Sequence, residues 1–166
     1  MLKTEMIALP IDSSLSKVVE AFQKTNNVIL TAPPGSGKTL RVPPLLAKQS
    51  QKKIIVLVPK RIAAVSAASR IAEENNWQLG QQVGYQVRFD QRFTAQTKLI
   101  FMTEGVFVKR MNSAAFLNEI ETIVFDEFHE RSSLNDIAFG FCYEQQLLSD
   151  SKTPLKILVM SANNQQ

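Results

Sequence analysis

The segment Ala32–Thr39, with the sequence APPGSGKT, has the residue types with which a backbone loop can hold phosphate groups. Its glycines allow the backbone to approach an anion closely, and N–H groups at the start of a following helix can surround a β-phosphate. The lysine can neutralise β- and γ-phosphate charge, and the threonine hydroxyl can bind Mg²⁺. The pattern is that of a Walker A loop with Ala32 in place of its usual first glycine. It predicts binding of ATP and Mg²⁺ by Pro34, Gly35, Ser36, Gly37, Lys38 and Thr39.

Two adjacent acids, Asp126 and Glu127, follow the apolar run Ile123–Phe125. Ligands of open α/β sheets bind beyond the carboxyl ends of the strands, which is where this pair falls. Asp126 suits a hold on Mg²⁺ from just outside its direct ligands, and Glu127 suits orientation of the attacking water and acceptance of its proton. We therefore expect the loop and the acids to meet at the same end of neighbouring strands. Taken separately, the loop could be a flexible turn with a surface lysine. The acidic pair could be an exposed acidic turn after a strand.

Strands and helices alternate along the chain in the way that produces a parallel α/β sheet. The apolar runs lack polar alternation, which is typical of strands buried on both faces. Only Gln82–Phe89 alternates, and it predicts a half-exposed strand at an edge or added to the sheet. The other predicted strands are Val28–Leu30, Ile54–Val58, Lys98–Met102, Thr122–Phe125 and Leu155–Met160, and the predicted helices are Leu15–Phe22, a helix from Lys38, Arg61–Glu74, Gly105–Met111 and Ser133–Leu148.

A length of 166 residues fits one domain, which we expect to span residues 1–166. The net charge of +4 gives a mildly basic surface that suits phosphate ligands but does not identify them. Cys142 is the only cysteine, which excludes an intrachain disulfide and a cysteine-rich metal site and agrees with a reducing cytoplasm. No apolar run approaches the roughly 20 residues of a membrane span, so we expect a cytoplasmic location without membrane contact.

Four further stretches resemble one known family in the correct order. Asp126–Ser132, with the sequence DEFHERS, looks like motif II of the DEAH-box helicases in its bacterial HrpB-like form. Pro59–Ala64 is similar to motif Ia, Val83–Phe89 to the stretch after it, and Thr103–Gly105 to motif Ib. The resemblance implies a three-layer RecA-like P-loop NTPase domain with a mostly parallel sheet, the first of the two domains of an ATP-dependent RNA or DNA helicase.

The resemblance also implies a surface for single-stranded nucleic acid. By it, Arg61 and Thr103 would touch the sugar-phosphate backbone, and Lys60 would contribute charge, without reading sequence. A solvated helix start is the alternative for Lys60 and Arg61. Arg88 could face the same strand, and RNA is not distinguished from DNA.

Other roles carried over from the family surround the nucleotide. Arg70 matches the arginine on which the base stacks, although a plain helix-surface arginine fits that position nearly as well. His129, the only histidine, would couple the γ-phosphate to motif III; judged without the family it is equally a satisfied core or surface residue. Glu130 and Arg131 would join a polar network there. Motif III departs from the family's Ser-Ala-Thr, because its third residue here is Asn163.

We expect the second RecA-like domain, with its arginine fingers, to be absent from this chain. In comparable NTPases such arginines contribute about 10³–10⁵ in rate, so the isolated domain should hydrolyse ATP weakly. Two alternatives stay open at this point. One is a different P-loop enzyme such as a small kinase, which would need an arginine-rich lid. The other is a truncated module that binds nucleotide or nucleic acid without catalysis.

Overall fold

The computed structural model describes residues 6–162 as a single seven-stranded sheet covered by helices on both faces. The strand order is β1-β7-β6-β2-β5-β3-β4, and every neighbouring pair is parallel except the antiparallel hairpin β3–β4. The strands are β1 Asn27–Ala32, β2 Lys53–Val58, β3 Val83–Val87, β4 Asp90–Arg92, β5 Leu99–Thr103, β6 Ile120–Phe125 and β7 Lys156–Ala162. The prediction of a mostly parallel α/β sheet is confirmed.

Helices α1, α2 and α3 cover one face of the sheet, and α4, α5 and α6 cover the other. The central strand β2 shows why both faces need a cover: Ile54 and Val56 belong to one buried cluster, and Ile55 and Leu57 belong to the other. This gives the expected three layers. The helices are α1 Leu15–Lys24, α2 Lys38–Gln49, α3 Arg61–Asn75, α4 Glu104–Arg110, α5 Ala114–Asn118 and α6 Ser133–Leu148, and a 3₁₀ turn, Pro10–Ser14, precedes them.

The prediction for Gln82–Phe89 is wrong in two respects. Its strand, β3, lies inside the sheet between β5 and β4, and most of its side chains are buried on both faces. The alternating pattern misled because Gly84 stands at one of the apparently polar positions. A Cβ atom on Gly84 would collide with the carbonyl oxygen of Arg92, so the glycine allows the short edge strand β4 to pack closely.

Besides the 3₁₀ turn Pro10–Ser14, two short elements have no counterpart among the predicted ones. Strand β4 has only three residues, all polar and exposed, and therefore no apolar pattern. Helix α5 has five residues and begins where the side chain of Ser113 accepts a hydrogen bond from the backbone N–H of Phe116. None of the helices in residues 6–162 has the length and apolar character needed to cross a bilayer.

Candidate nucleotide-binding site and basic groove

The glycine-rich loop and the acidic pair come to the same edge of the sheet, as expected. The loop leaves β1 after Ala32, and the acids leave β6 after Phe125. The two strands are not neighbours, however, because β7 lies between them and pairs with both. Ala32 lies beside Ala162, so the end of β7 is itself part of this edge. The expectation of neighbouring strands was therefore wrong, although the expected meeting of the two motifs occurs.

The loop owes its shape to two glycines with left-handed backbone angles. Gly35 has a φ of 73° and Gly37 a φ of 91°, values that residues with side chains rarely adopt. Gly37 is also crowded, since a Cβ atom there would collide with the side chain of Leu9. The carbonyl oxygen of Ser36 accepts a hydrogen bond from the backbone N–H of Ile11 at 3.0 Å. Residues ahead of the first helix thus support the loop.

A direct hydrogen bond joins the two motifs. Thr39 Oγ1 donates to Asp126 Oδ2 at 2.6 Å, between residues 87 positions apart in sequence. Asp126 is only 4% exposed, and its backbone N–H donates to the carbonyl oxygen of Leu57 on β2. Burial raises the pKa of the Asp126 carboxyl, while the hydrogen bonds from Thr39 and the Glu127 N–H and the positive charge of Lys38 act in the opposite direction.

These oxygen atoms form a donor set that suits Mg²⁺. A hard divalent cation prefers carboxylate and hydroxyl oxygens, and it favours the charged form of a carboxylate that burial disfavours. Thr39 supplies the hydroxyl and Asp126 the buried carboxylate, whereas the positive charge of Lys38, which is 8% exposed, suits phosphate oxygens. The residues therefore fit the metal that the motifs predict.

A cleft of about 380 Å³ lies above this contact and brings most of the predicted nucleotide-binding residues together. Glu127 lines it with a left-handed φ of 52°, a conformation that is uncommon for a residue with a side chain. Ser36 is the exception among the loop residues, because it is buried and does not line the cleft. The predicted residues on the walls are Pro34, Gly35, Gly37, Lys38, Thr39, Arg70, Glu127 and His129.

His129 reaches the end of β7. Its Nδ1 accepts a hydrogen bond from the backbone N–H of Ala162 at 3.1 Å and lies 3.4 Å from Ser161 Oγ. This is the contact with motif III that the resemblance implies; Asn163, the residue that departs from the family, lies outside the described residues. Arg131 does not join a network at the cleft, because it is exposed and pairs with Asp136 on α6 at 3.1 Å.

Sequence reasoning missed several residues around the cleft. Leu9 and Leu40 line it, and Arg70 is held by Glu74, whose Oε1 accepts from Arg70 Nη2 at 3.4 Å. Glu74 also accepts a hydrogen bond of 2.6 Å from the buried Arg41. No motif marks these residues, and the contact between Glu74 and Arg41 joins helices α3 and α2 across 33 residues.

A second and larger cavity, of about 900 Å³, lies beside the start of α3, and we call it the basic groove. It contains the predicted residues Arg61 and Thr103, whereas Lys60 is exposed just before α3 and is not on its wall. Phe89 stands on the groove with 90% of its surface exposed, and the Arg88 guanidinium lies 4.7 Å from its ring centre. Together with Arg61, the cations on the wall are Arg88, Lys109 and Arg110.

One buried acid connects the groove to the acidic segment. Glu104 follows Thr103 directly, is 8% exposed, and accepts a hydrogen bond of 2.5 Å from Ser132 Oγ. The same Ser132 oxygen accepts from the backbone N–H of Asn135 and so begins α6. Helix α4, which begins directly after Thr103, is therefore tied to the chain that follows Asp126.

With this geometry in place, comparison with known proteins identifies the family. A model described as DEAD/DEAH box helicase matches residues 13–164. The chain belongs to the DEAD/DEAH box helicase family. The resemblance to DEAH-box helicases is thereby confirmed, and membership of this family excludes a small kinase.

The individual relatives of this DEAD/DEAH box domain agree. It is 39% identical over 158 residues to the probable ATP-dependent RNA helicase DHX40 of Rattus norvegicus, an overlap of 92% of this chain and 20% of that protein. It is 35% identical over 162 residues to the probable ATP-dependent RNA helicase DHR2 of Saccharomyces cerevisiae, covering 95% of this chain and 22% of that protein. The chain thus spans about one fifth of the length of these relatives.

Solved structures show the same fold. The crystal structure of the Escherichia coli DEAH/RHA helicase HrpB superposes with a TM-score of 0.85 at 35% identity, over 96% of this chain and 20% of that one. A second crystal structure, of the E. coli DExH-box NTPase HrpB, gives a TM-score of 0.86 at 34% identity, with the same coverage. The RecA-like fold inferred from the sequence is confirmed.

Proposed function

We propose that this chain is the ATP-binding motor domain of an ATP-dependent nucleic-acid helicase, active when it is joined to a second RecA-like domain. The observation that carries the proposal is the hydrogen bond between the buried Asp126 and Thr39, which lines a cleft together with Lys38 and Glu127. These four side chains are the ones that metal-assisted phosphoryl transfer requires. The two relatives, both named as probable ATP-dependent RNA helicases, support the same activity.

Each side chain has a distinct part in the proposed hydrolysis. Lys38 holds the β- and γ-phosphates through its charge, and the left-handed glycines let backbone N–H groups approach them. Thr39 would bind Mg²⁺ directly and Asp126 would hold it from just outside its direct ligands, and the metal would neutralise charge on the phosphates. Glu127 orients the attacking water and accepts its proton. His129 connects this site to the end of β7 through its hydrogen bond with Ala162.

We propose that the basic groove binds a single strand of nucleic acid. Arg61 and Thr103 contact its sugar-phosphate backbone, with Lys60 adding charge nearby, and Arg88, Lys109 and Arg110 extend the positive surface. Backbone contacts of this kind position a strand without reading its sequence. The strand and the nucleotide are connected through the segment from Thr103 to Ser132, because Glu104 bonds to Ser132.

The remaining proposals concern the whole protein. Residues 1–166 form one RecA-like domain, and a second such domain supplies arginines that stabilise charge on the transferring phosphoryl group. The solitary Cys142 agrees with a location in the cytoplasm, where thiols stay reduced. In the complete enzyme, ATP closes the two domains around the strand and hydrolysis reopens them.

The test is ATP turnover, with and without single-stranded RNA, by this chain and by a form extended through the second domain. We expect weak turnover by this chain and a large increase in the extended form when RNA is present. Extended protein carrying Lys38→Ala is the control for contaminating ATPase. Equal turnover by the two forms would contradict the need for a second domain, and nucleotide binding without turnover in either would favour a non-catalytic module.

A further inference from the structure

Arg41 is a buried cation beside the nucleotide cleft that the proposed hydrolysis does not use. It lies on α2, three residues after Lys38 and therefore about one helical turn further on. It is only 9% exposed, and its guanidinium group donates in three directions. Nε donates to Asp12 Oδ1 at 3.2 Å, Nη1 to Glu74 Oε2 at 2.6 Å, and Nη2 to the carbonyl oxygen of Ile7 at 2.7 Å.

Both carboxylates that bind Arg41 also bind a residue of the cleft wall. The second oxygen of Glu74 accepts from Arg70 at 3.4 Å, and the second oxygen of Asp12 accepts from the backbone N–H of Leu9 at 2.8 Å. Leu9 and Arg70 both line the cleft. Arg41 is thus hydrogen-bonded to both carboxylates. Through them it is connected to two wall residues, Leu9 and Arg70, which come from separate parts of the chain.

The wall residues at the ends of this network have a different chemistry from the phosphate loop. Leu9 is apolar, as is its neighbour on the wall, Leu40, and Arg70 is a planar cation that is 63% exposed. A nucleobase has flat apolar faces that pack on aliphatic groups and stack on guanidinium planes. This part of the cleft therefore suits the base, and the loop with Lys38 suits the phosphates.

The shape of the Arg41 side chain, and not only its charge, suits it to hold neighbouring residues in place. A planar guanidinium offers five donors in a fixed fork, whereas a lysine ammonium is a compact charge on a flexible stem. Only the fork can hold acceptors from the segment before the first helix and from α3 in one fixed arrangement. Replacement by lysine keeps the charge and removes that arrangement.

We propose that Arg41, with Asp12 and Glu74, is a positioning network that fixes Leu9 and Arg70 as the base-binding walls of the nucleotide cleft. The proposal rests on the proposed function, because it assigns the base of the same nucleotide. It makes Arg41 and Glu74 determinants of nucleoside recognition that do not touch the phosphates.

The experiment compares two ligands of the purified chain by calorimetry, Mg-ATP and Mg-tripolyphosphate. The unsubstituted chain should bind ATP more tightly, because tripolyphosphate has no base. Arg41→Lys and Glu74→Ala should each weaken ATP binding by about 5- to 10-fold, as loss of one cation–π contact implies. The affinity of Glu74→Ala for tripolyphosphate should stay within about twofold, because Glu74 lies on α3 and bonds to Arg41 and Arg70, not to the phosphate loop.

Glu119→Ala is the matched control, since it removes an acid that is ion-paired to Lys53 at 3.5 Å, at the start of β2 and away from the cleft. It should change neither affinity. If Arg41→Lys fails to fold in a thermal scan, Glu74→Ala decides the question. An equal loss of both affinities in Glu74→Ala would reveal a merely structural role and overturn the proposal, as would no loss of either.

The same measurements separate this proposal from the one on which it rests. An unsubstituted chain that binds ATP and tripolyphosphate equally well would overturn the base-binding walls and leave the proposed nucleotide site intact. A chain that binds neither ligand at millimolar concentration would contradict both. Lys38→Ala should weaken the binding of ATP and of tripolyphosphate to the same extent, as expected for a residue that contacts the phosphates.

Discussion

The nucleotide cleft and the basic groove differ in how firmly their side chains are held. In the cleft, Lys38 and Asp126 are less than a tenth exposed, and Asp126 is bonded to Thr39. In the groove, Arg61 and Arg88 are exposed. A single triphosphate with its metal needs groups set in advance at fixed positions, because reorganisation would cost binding energy. A polymer of repeating phosphates needs only a surface of the right charge.

The largest expected effect tests the cleft, whose side chains are firmly held. Lys38→Ala should lower ATP turnover of the extended protein by at least about 100-fold, because the β- and γ-phosphate charge loses its main partner. Lys48→Ala is the control, since it removes a lysine from the end of the same helix, where Lys48 donates to Asn75. Circular dichroism should show both variants folded. Near-normal turnover in Lys38→Ala would remove this lysine from the mechanism.

The next effect concerns salt. Between about 50 and 200 mM salt, affinity for single-stranded RNA should fall by about 10-fold or more, because binding releases counterions from roughly three phosphates. Mg-ATP affinity should change less, since its contacts are few and largely buried. Fluorescence anisotropy with labelled oligonucleotide and nucleotide measures both. Similar salt dependence for the two ligands would erase the distinction between a rigid cleft and a surface of charge.

A single groove residue should matter less. Arg61→Ala should weaken single-strand binding about 3- to 10-fold and reduce the slope of log affinity against log salt by about 0.7 to 1, the loss of one phosphate contact. Lys17→Ala removes one positive charge from the exposed surface of α1 and should leave the slope unchanged. Equal effects of the two substitutions would mean that only net charge counts and that the groove is not the binding path.

The smallest expected effect is on stability, and it tests whether the charge of the buried Asp126 is constrained in the folded cleft. Burial raises the pKa of the Asp126 carboxyl, so without metal the folded state favours its protonated form. The protonated Asp126 carboxyl therefore contributes its full stabilisation below the pKa that it has in the unfolded chain. This contribution is lost as the pH rises through the higher pKa of the folded state. In EDTA, the unfolding free energy of Asp126→Asn relative to that of the unsubstituted chain should increase as the pH rises above the ordinary carboxyl pKa of 3.8, as measured in urea titrations. A difference independent of pH would contradict the raised pKa.

The parts of the molecule that were predictable from sequence are those that a contiguous motif specifies. The loop and the acidic pair each follow an apolar strand, so their chemistry and their common edge could be inferred together. The position of β7 between their strands could not, because strand order depends on pairings between distant segments. The hydrogen bonds of Arg41 to Asp12 and Glu74 were invisible for the same reason, since they span 29 and 33 residues.

The groove shows a second limit. Arg61 and Thr103 were found only through resemblance to the family, and Lys109 and Arg110 were not found at all, because two basic residues at the end of one short helix have no distinctive pattern. The error over β3 has the opposite cause. Gly84 was counted as a polar position, whereas its missing side chain is what lets the edge strand approach. The alternation of polar and apolar residues indicates which side chains face solvent, but it does not indicate how closely two strands can approach.

The segment ahead of the first helix has a practical consequence for anyone who dissects this protein. The family match begins at residue 13, and α1 begins at Leu15. Yet Leu9 packs on Gly37, and Ile11 donates to the carbonyl of Ser36. A shortened version that starts at Leu15 would keep every recognised motif and lose the brace behind the phosphate loop. The smallest part of this chain that keeps the phosphate loop supported therefore starts upstream of residue 13, where the family match begins.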